Sequence, residues 1–240
     1  MLSILKRKEN HREMRSIRKE SFNTFTKKKS KSYRTLGTTS IKMSNPFTLS
    51  LSAYLTTHPH LAGLIVSAIP IHRPSPSHPS RALVVQRAAT DGFPLKWETP
   101  GGGVDPTDTT ILDALRRELH EETGLTATNV ALIDDTVEFT GKRADGSPGV
   151  WRKITFAVQV GDGNNMNASP GDRTGDGGMS PVVIMNPAEH VDYIWAKEDE
   201  VVEGRCEGRV LDFAYPESKG LILRAFAAWG AGGEDFSSSK

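Results

Sequence analysis

The amino-acid sequence predicts a mixed α/β domain, and three observations carry this prediction. An amphipathic helix follows the glycines at 101–103, with apolar residues spaced three and four apart. Apolar segments of strand length precede it, at 61–71 and 82–86, and another follows it at 150–160. A chain of 240 residues is long enough for one ordinary domain with tails. We therefore expect a single α/β domain with strands on both sides of the helix.

The first 44 residues differ in composition from the rest of the chain. They contain 13 Lys or Arg and 3 acidic residues, whereas the remainder contains 17 and 26. This stretch is poor in aliphatic residues and has no sustained period, which predicts a disordered basic tail. The lysine-rich run at 27–31 indicates a nuclear address or a nucleic-acid patch, the basic excess also suits an organelle transit segment, and translation starting at Met43 is a third alternative.

The remaining boundaries follow from composition. We expect a domain at 45–229, a mobile Gly, Asp, Asn and Ser loop at about 161–181, and a disordered tail at 230–240. Cys206 is the only cysteine, which excludes an internal disulfide and favours a reducing intracellular compartment. No run reaches the roughly 18–20 apolar residues of a membrane-spanning helix. The sequence predicts an intracellular, cytoplasmic protein without a membrane segment, with mitochondrial or nuclear targeting by the tail left open.

Elements before the glycines begin with an apolar segment at 46–57 that predicts a small helix. The strands at 61–71 and 82–86 follow, as a hairpin-like pair. The linker between them, 72–80, is rich in Pro, Ser and His, and its prolines exclude regular structure. We expect His72 and His78 in this linker to be exposed to solvent.

Elements after the helix start at Gly124, which suits the position just past a helix end. The following apolar segments predict strands at 130–133, 137–140, 150–160 and 182–185, and a final strand ending at Trp195. A capped turn is expected at 197–202. The apolar spacing at 219–229 predicts a C-terminal helix.

Three carboxylates of the central helix lie on one face. At about 100° per residue, Glu118, Glu121 and Glu122 project within a sector of roughly 100°. The apolar stripe of the same helix occupies the neighbouring sector, so the carboxylates lie at the margin of the buried face. Partly buried like charges require compensation. Arg117 can neutralise one of them, and a hard divalent cation with oxygen ligands suits the others.

These residues resemble the Nudix hydrolase signature. The run 117–125, Arg-Glu-Leu-His-Glu-Glu-Thr-Gly-Leu, fills every position of its second half, and Gly103 stands at the standard upstream spacing. Thr109 replaces the glutamate normally found between the two halves. The neighbouring Asp108 either substitutes for that glutamate or caps the helix. Aligning the signature's Pro-Gly-Gly with residues 100–102 lengthens the loop by one residue and leaves the helix unchanged.

The resemblance, which covers about residues 60–229, implies a fold, an activity and a cofactor. It implies a Nudix-type α/β/α sandwich with a mixed β-sheet, and hydrolysis of a diphosphate bond in a small-molecule nucleoside diphosphate derivative. It implies Mg²⁺ or Mn²⁺ as the cofactor, held by Glu118, Glu121 and Glu122. The carbonyl of Gly103, or of Gly102, completes the coordination. Arg117 is expected to orient and charge-balance this cluster, so the expected catalytic residues are Glu121, Glu118 and Arg117.

The general base and the turnover itself stay open at this point. The base is either a glutamate of the helix or a residue of the late loop, by which we mean the segment just before the final strand. In this loop, Glu189 and His190 are candidates for contacting the substrate or are solvated loop residues. Because Thr109 departs from the signature, the alternative function is a binding module that recognises a nucleotide or nucleotide-sugar without cleaving it. Nucleic acid is an expected partner only through the basic tail.

Overall fold

A mixed seven-stranded sheet dominates the computed structural model of the protein, which describes residues 45–75, 77–160 and 180–230. The predicted tail at 1–44, nearly all of the predicted loop at 161–181, and residues 231–240 lie outside these ranges, and Gly230 ends a helix. After a 3₁₀ turn at Pro46–Thr48, the elements are α1 Leu51–Thr57, β1 Leu61–His72, β2 Arg81–Arg87, β3 Trp97–Glu98, β4 Gly101–Gly103, α2 Ile111–Thr123, β5 Ala127–Lys142, β6 Pro148–Val160, β7 His190–Lys197, α3 Glu198–Glu203, β8 Arg205–Cys206, β9 Arg209–Val210 and α4 Ser218–Gly230.

Strand β1 lies at the centre of the sheet. The strand order is β3-β2-β1-β6-β5, with β4 paired to β1 and β7 paired to β2. Strands β1 and β6 run parallel, from the pair Leu61 and Val150 to the pair Ile71 and Gln159, and the other pairs are antiparallel. Nearly every residue of β1 is buried, as expected for an apolar strand covered on both faces. The predicted mixed sheet is confirmed.

Helices cover both faces of this sheet. Leu64 and Val66 of β1 pack in one hydrophobic cluster with Leu115 of α2, and α1 joins the same cluster. On the opposite face, Ile69 of β1 packs in a second cluster with Ile222 of α4, which also includes α3. The alternation of side chains along β1 therefore serves two cores at once. The result is an α/β/α sandwich.

The predicted hairpin-like pair of β1 and β2 is only partly present. The two strands pair at their ends alone, Ile71 with Ala82 and His72 with Arg81, because β4 pairs with the preceding part of the same edge of β1, at residues 65–67. The expectation that His72 is exposed is wrong. His72 is the last residue of β1 and is 2% exposed, with its ring 5.9 Å from that of Trp195.

Three other predictions are corrected. The strands expected at 130–133 and 137–140 are one strand, β5, in which the register shifts around Asp134. No strand forms at 182–185, where the amide of Ile184 instead donates to the carbonyl of Thr123 at the end of α2. The capped turn expected at 197–202 is the helix α3. Within the described ranges, no helix has the length and apolar composition needed to cross a bilayer.

Candidate active site

Helix α2 is held at both ends, which fixes the direction of its carboxylates. The hydroxyl of Thr110 caps the helix by accepting from the amide of Asp113 at 3.0 Å. At the other end Gly124 adopts a left-handed conformation, φ 70°, and its amide donates to the carbonyl of His120. Thr110 is therefore the cap, so the alternative that Asp108 caps this helix is wrong.

The three helix carboxylates differ in exposure. Glu118 and Glu122 are each 2% exposed, whereas the side chain of Glu121 is 48% exposed. This agrees with the prediction that the carboxylates lie at the margin of the buried face. Buried carboxylates require positively charged or hydrogen-bonding partners close by.

Arg117 supplies a positive charge and hydrogen-bond donors to three acidic residues. Its Nε and Nη2 donate to the two carboxylate oxygens of Asp108, each at 2.9 Å. Its Nη1 donates to Glu118 at 2.9 Å and to Glu121 at 3.3 Å. The remaining Nη2 hydrogen goes to the carbonyl of Gly103 at 3.0 Å, so each of the five guanidinium hydrogens has an acceptor. Arg117 thus contacts both Glu118 and Glu121.

The charge of Arg117 is secured by these contacts. Partial burial by itself lowers the pKa of Arg117, but the hydrogen bonds and negative charges of Asp108 and Glu118 outweigh burial and raise the pKa above its ordinary value. Arg117 therefore stays charged and acts as a fixed cation. Thr109, at the position of the missing signature glutamate, is exposed, while Asp108 beside it provides a carboxylate.

The glycine strand β4 lies directly against the buried carboxylates. A methyl group added at Gly102 would lie 2.4 Å from the carboxyl carbon of Glu118. The amide of Gly101 donates to Oε2 of Glu122 at 2.8 Å. Only glycine lets the backbone approach Glu118 this closely. The carbonyl of Gly103, the expected metal ligand, accepts from Arg117.

The late loop brings two further groups to Glu122. Glu189 and His190 are 6% and 1% exposed, so their interpretation as solvated loop residues is wrong. Their amides donate to the carbonyl of Asn186, and the carbonyl of Glu189 accepts from Ala88 after β2. One ligand atom each from Glu122, Glu189 and His190 lie within 4.8 Å of one another. Glu118 and Glu121 are not part of this group and meet at Arg117 instead.

His190 lies next to a buried group of ion-paired side chains. Arg87, 1% exposed, donates from Nη1 to Glu98 at 2.5 Å and from Nη2 to Asp91 at 2.7 Å. The same oxygen of Glu98 lies 3.2 Å from Nε2 of His190. Sequence reasoning did not single out Arg87 or Glu98. The signal that could have found them is the presence of two charged residues beside short apolar strands. Charged residues are almost never buried without partners, so this pattern indicates an ion pair.

The donor set suits a divalent cation. Buried carboxylates from α2 and the late loop provide oxygen ligands, and Nδ1 of His190 is buried without a hydrogen-bond partner among the described residues. Oxygen ligands fit Mg²⁺, and a mixed set with an imidazole fits Mn²⁺ and other transition ions. The residues present therefore fit a bound metal.

The chain matches one protein-family model and is similar to several solved structures. A family model described as the NUDIX domain matches residues 64–207. The NUDIX domain of Shewanella oneidensis NrtR, solved with ADP ribose, is 18% identical, with 69% of this chain and 87% of that chain covered and a TM-score of 0.47. The C. elegans Ap4A hydrolase in a binary complex is 19% identical, with 71% and 98% covered and a score of 0.42. The MutT protein from Methanosarcina mazei is 19% identical, with 70% and 94% covered and a score of 0.43. A search of curated proteins finds no significant match.

Proposed function

The chain belongs to the Nudix family, whose domain model matches more than half of its 240 residues, and on that premise we propose that it is a metal-dependent pyrophosphohydrolase. Its substrate is a nucleoside diphosphate linked to another moiety, and the bond cleaved is the diphosphate. Family membership confirms the resemblance drawn from residues 117–125, and the Nudix-type sandwich agrees with the observed layers.

One observation carries the proposal. Two carboxylates of α2, Glu118 and Glu122, are almost completely buried and lie against the glycine strand β4. Arg117 balances Glu118, while Glu122 has a second buried carboxylate, Glu189, beside it. Adjacent buried carboxylates are strongly unfavourable without a cation. A site built in this way is suited to hold a divalent ion.

The proposed cofactor is Mg²⁺ or Mn²⁺. The proposed ligands are the three helix carboxylates and one backbone carbonyl, namely Glu118, Glu121, Glu122 and Gly103. When bound, such an ion neutralises charge on the phosphate oxygens and lowers the pKa of a water molecule. Glu118 and Glu121 reach it only if Arg117 holds them in their present directions, which is the positioning role proposed for Arg117.

The exposed carboxylate supports an assignment for proton transfer. Glu121 is 48% exposed at its side chain and is oriented by a hydrogen bond from Arg117 at 3.3 Å. A carboxylate that reaches solvent and has a fixed direction can accept a proton from an attacking water. Glu189 or His190 is the alternative base, His190 only where its Nδ1 holds no metal ion, and both are proposed to contact the substrate from the late loop.

A substrate panel tests the proposal. We expect the full-length protein, with Mg²⁺ or Mn²⁺, to release phosphate or nucleotide from at least one of ADP-ribose, dinucleoside polyphosphates, NADH, coenzyme A and oxidised dNTPs. Glu121→Gln and Glu122→Gln should abolish that turnover. Glu203→Gln, at an exposed position of α3, is the matched control and should retain it. Absence of turnover on every compound with both ions would contradict the proposal.

The binding-module alternative rests on Thr109. If this departure from the signature removes turnover, calorimetry will detect tight binding of a nucleotide or nucleotide-sugar with no product, and Thr109→Glu will not change the affinity. We favour the enzyme because Thr109 is exposed, whereas the neighbouring Asp108 binds Arg117 with both oxygens.

A further inference from the structure

We propose that His190 is a metal ligand through Nδ1 and that, with Glu122 and Glu189, it forms a mixed nitrogen and oxygen site that prefers Mn²⁺ to Mg²⁺. The site shares Glu122 with the proposed helix ligands and rests on the proposed function only in that residue. Its other two ligands come from the late loop, so it joins two parts of the fold separated by 67 positions, from Glu122 to Glu189.

The side chains of Glu122, Glu189 and His190 converge on one point. One ligand atom from each of the three side chains lies within 4.8 Å of the other two, which is the spacing of atoms that share one ion. All three residues are buried, His190 to 1% exposure. The loop is held in place from both sides, because His190 begins β7 and the preceding carbonyl of Glu189 accepts from Ala88. The ligands are therefore preorganised.

The surroundings of His190 decide which ring nitrogen carries the proton. Nε2 of His190 lies 3.2 Å from Oε1 of Glu98, and that oxygen also accepts from the guanidinium of Arg87. A carboxylate bound by a buried arginine is an acceptor, so the ring proton belongs on Nε2. Nδ1 then presents a lone pair. A histidine whose other ring nitrogen donates to a carboxylate is the usual arrangement of metal-binding histidines.

Nδ1 of His190 is an unsatisfied polar atom. It is buried and has no hydrogen-bond partner among the described residues. An unsatisfied buried polar atom is unfavourable, so its retention requires a reason. A bound ion satisfies it. An imidazole ligand favours first-row transition ions such as Mn²⁺ and Co²⁺, whereas Mg²⁺ prefers oxygen ligands.

Metal binding to the full-length protein, without substrate, tests the site. Mn²⁺ affinity is measured by electron paramagnetic resonance titration, and pulsed measurements detect modulation from a directly bound nitrogen. We expect wild type to show this nitrogen signal and to bind Mn²⁺ at least about tenfold more tightly than His190→Gln, with Mg²⁺ affinity nearly unchanged. The control His120→Gln, at an exposed position of α2, should behave as wild type.

A second variant covers the case in which His190→Gln does not fold. Glu98→Gln keeps an oxygen acceptor for Nε2 of His190 but weakens the hydrogen bond that orients the ring. This variant should retain the nitrogen signal, with Mn²⁺ affinity reduced about tenfold. Absence of the nitrogen signal in wild type overturns the inference, as does equal Mn²⁺ affinity of wild type and folded His190→Gln. No turnover is measured in these experiments, so they are independent of the substrate panel. If the protein is not a hydrolase, the nitrogen signal is still expected. If the nitrogen signal is absent, the substrate panel still decides whether the protein is a hydrolase.

Discussion

Asp108 shows how one residue can hold the guanidinium of the helix. Both of its oxygens accept from Arg117, and its own Oδ2 also accepts from the amide of Asp105 at 2.8 Å. The side chain of Asp108 is only 8% exposed. Thr109, the residue that departs from the signature, points to solvent instead. The departure therefore leaves Arg117 with a carboxylate partner.

This arrangement predicts the effect of Asp108→Asn. Replacing one charged acceptor with an amide removes a hydrogen bond to a partly buried guanidinium, and we expect the free energy of unfolding to fall by about 1–3 kcal/mol. Urea unfolding monitored by circular dichroism measures it. Thr109→Ala, one position away and exposed, is the control and should change it by less than about 0.5 kcal/mol. Equal effects of the two substitutions would contradict the assigned role of Asp108.

Gly102 predicts a loss of activity that is accompanied by a loss of stability. In Gly102→Ala the new methyl group would lie 2.4 Å from the carboxyl carbon of Glu118, so that side chain must turn away from its hydrogen bond with Arg117. We expect kcat to fall at least about tenfold, as for the loss of one positioned charge. Steady-state kinetics and thermal unfolding are measured together. In Gly220→Ala a methyl group would meet nothing within 4 Å, so this control should retain full kcat.

The sequence predicted the helix carboxylates but not the residues behind them. Helical spacing alone places Glu118, Glu121 and Glu122 together, because the helix is a local structure. The proximity of Glu122 to His190, whose ligand atoms lie within 4.8 Å of each other, joins distant segments, and no local period encodes it. Arg87 and Glu98 were missed for the same reason, since their pairing depends on how β2 and β3 come together.

At the scale of elements, α2 was the easiest to predict and β5 the hardest. The helix has an apolar stripe and a terminal Gly124, and both signals are local, although its cap is Thr110 and not the expected Asp108. Strand β5 contains the polar stretch 134–136, which resembles a break. In the structure a shift of register accommodates it. Pairing partners such as β1 and β6 lie too far apart in sequence for a local pattern to reveal.

The cap of α2 predicts a stability change. Thr110→Ala removes the hydroxyl that accepts from the amide of Asp113, and we expect unfolding to become easier by about 1 kcal/mol. Thr110→Ser keeps a hydroxyl at the same place and should stay within about 0.5 kcal/mol of wild type. Chemical denaturation of the three proteins compares them. If serine and alanine destabilise alike, the capping hydroxyl is not the cause.

At the scale of the whole molecule, an ion pair ties α4 to the sheet. Arg224 donates from Nη2 to Asp134 of β5 at 2.6 Å. Burial by itself raises the pKa of Asp134, but the hydrogen bonds from Arg224 and Thr136 outweigh it and hold the pKa below its ordinary value of 3.8. The side chain of Arg224 is 54% exposed, so the pair is weakened by solvent.

This pair predicts a pH-dependent difference between wild type and Arg224→Gln. A carboxylate whose folded pKa is depressed stabilises the fold above its unfolded pKa, and that contribution is lost as the pH falls through the folded pKa. We expect wild type to be more stable by about 0.5 kcal/mol at pH 5–7 and the difference to disappear well below the ordinary pKa of 3.8. Urea midpoints of both proteins across this range measure it. A difference that stays constant into acid would exclude Asp134 as the partner.

The parallel pairing of β1 with β6 also has a consequence for biosynthesis. Leu61 pairs with Val150, so the central strand leaves the ribosome 89 residues ahead of its longest partner. At about 5–20 residues per second, that interval is roughly 4–18 seconds. During it, one edge of an almost entirely apolar strand has no partner within the nascent chain, and exposed edges of this kind pair with other chains. We therefore expect the emerging polypeptide to depend on chaperone protection until β6 has been synthesised.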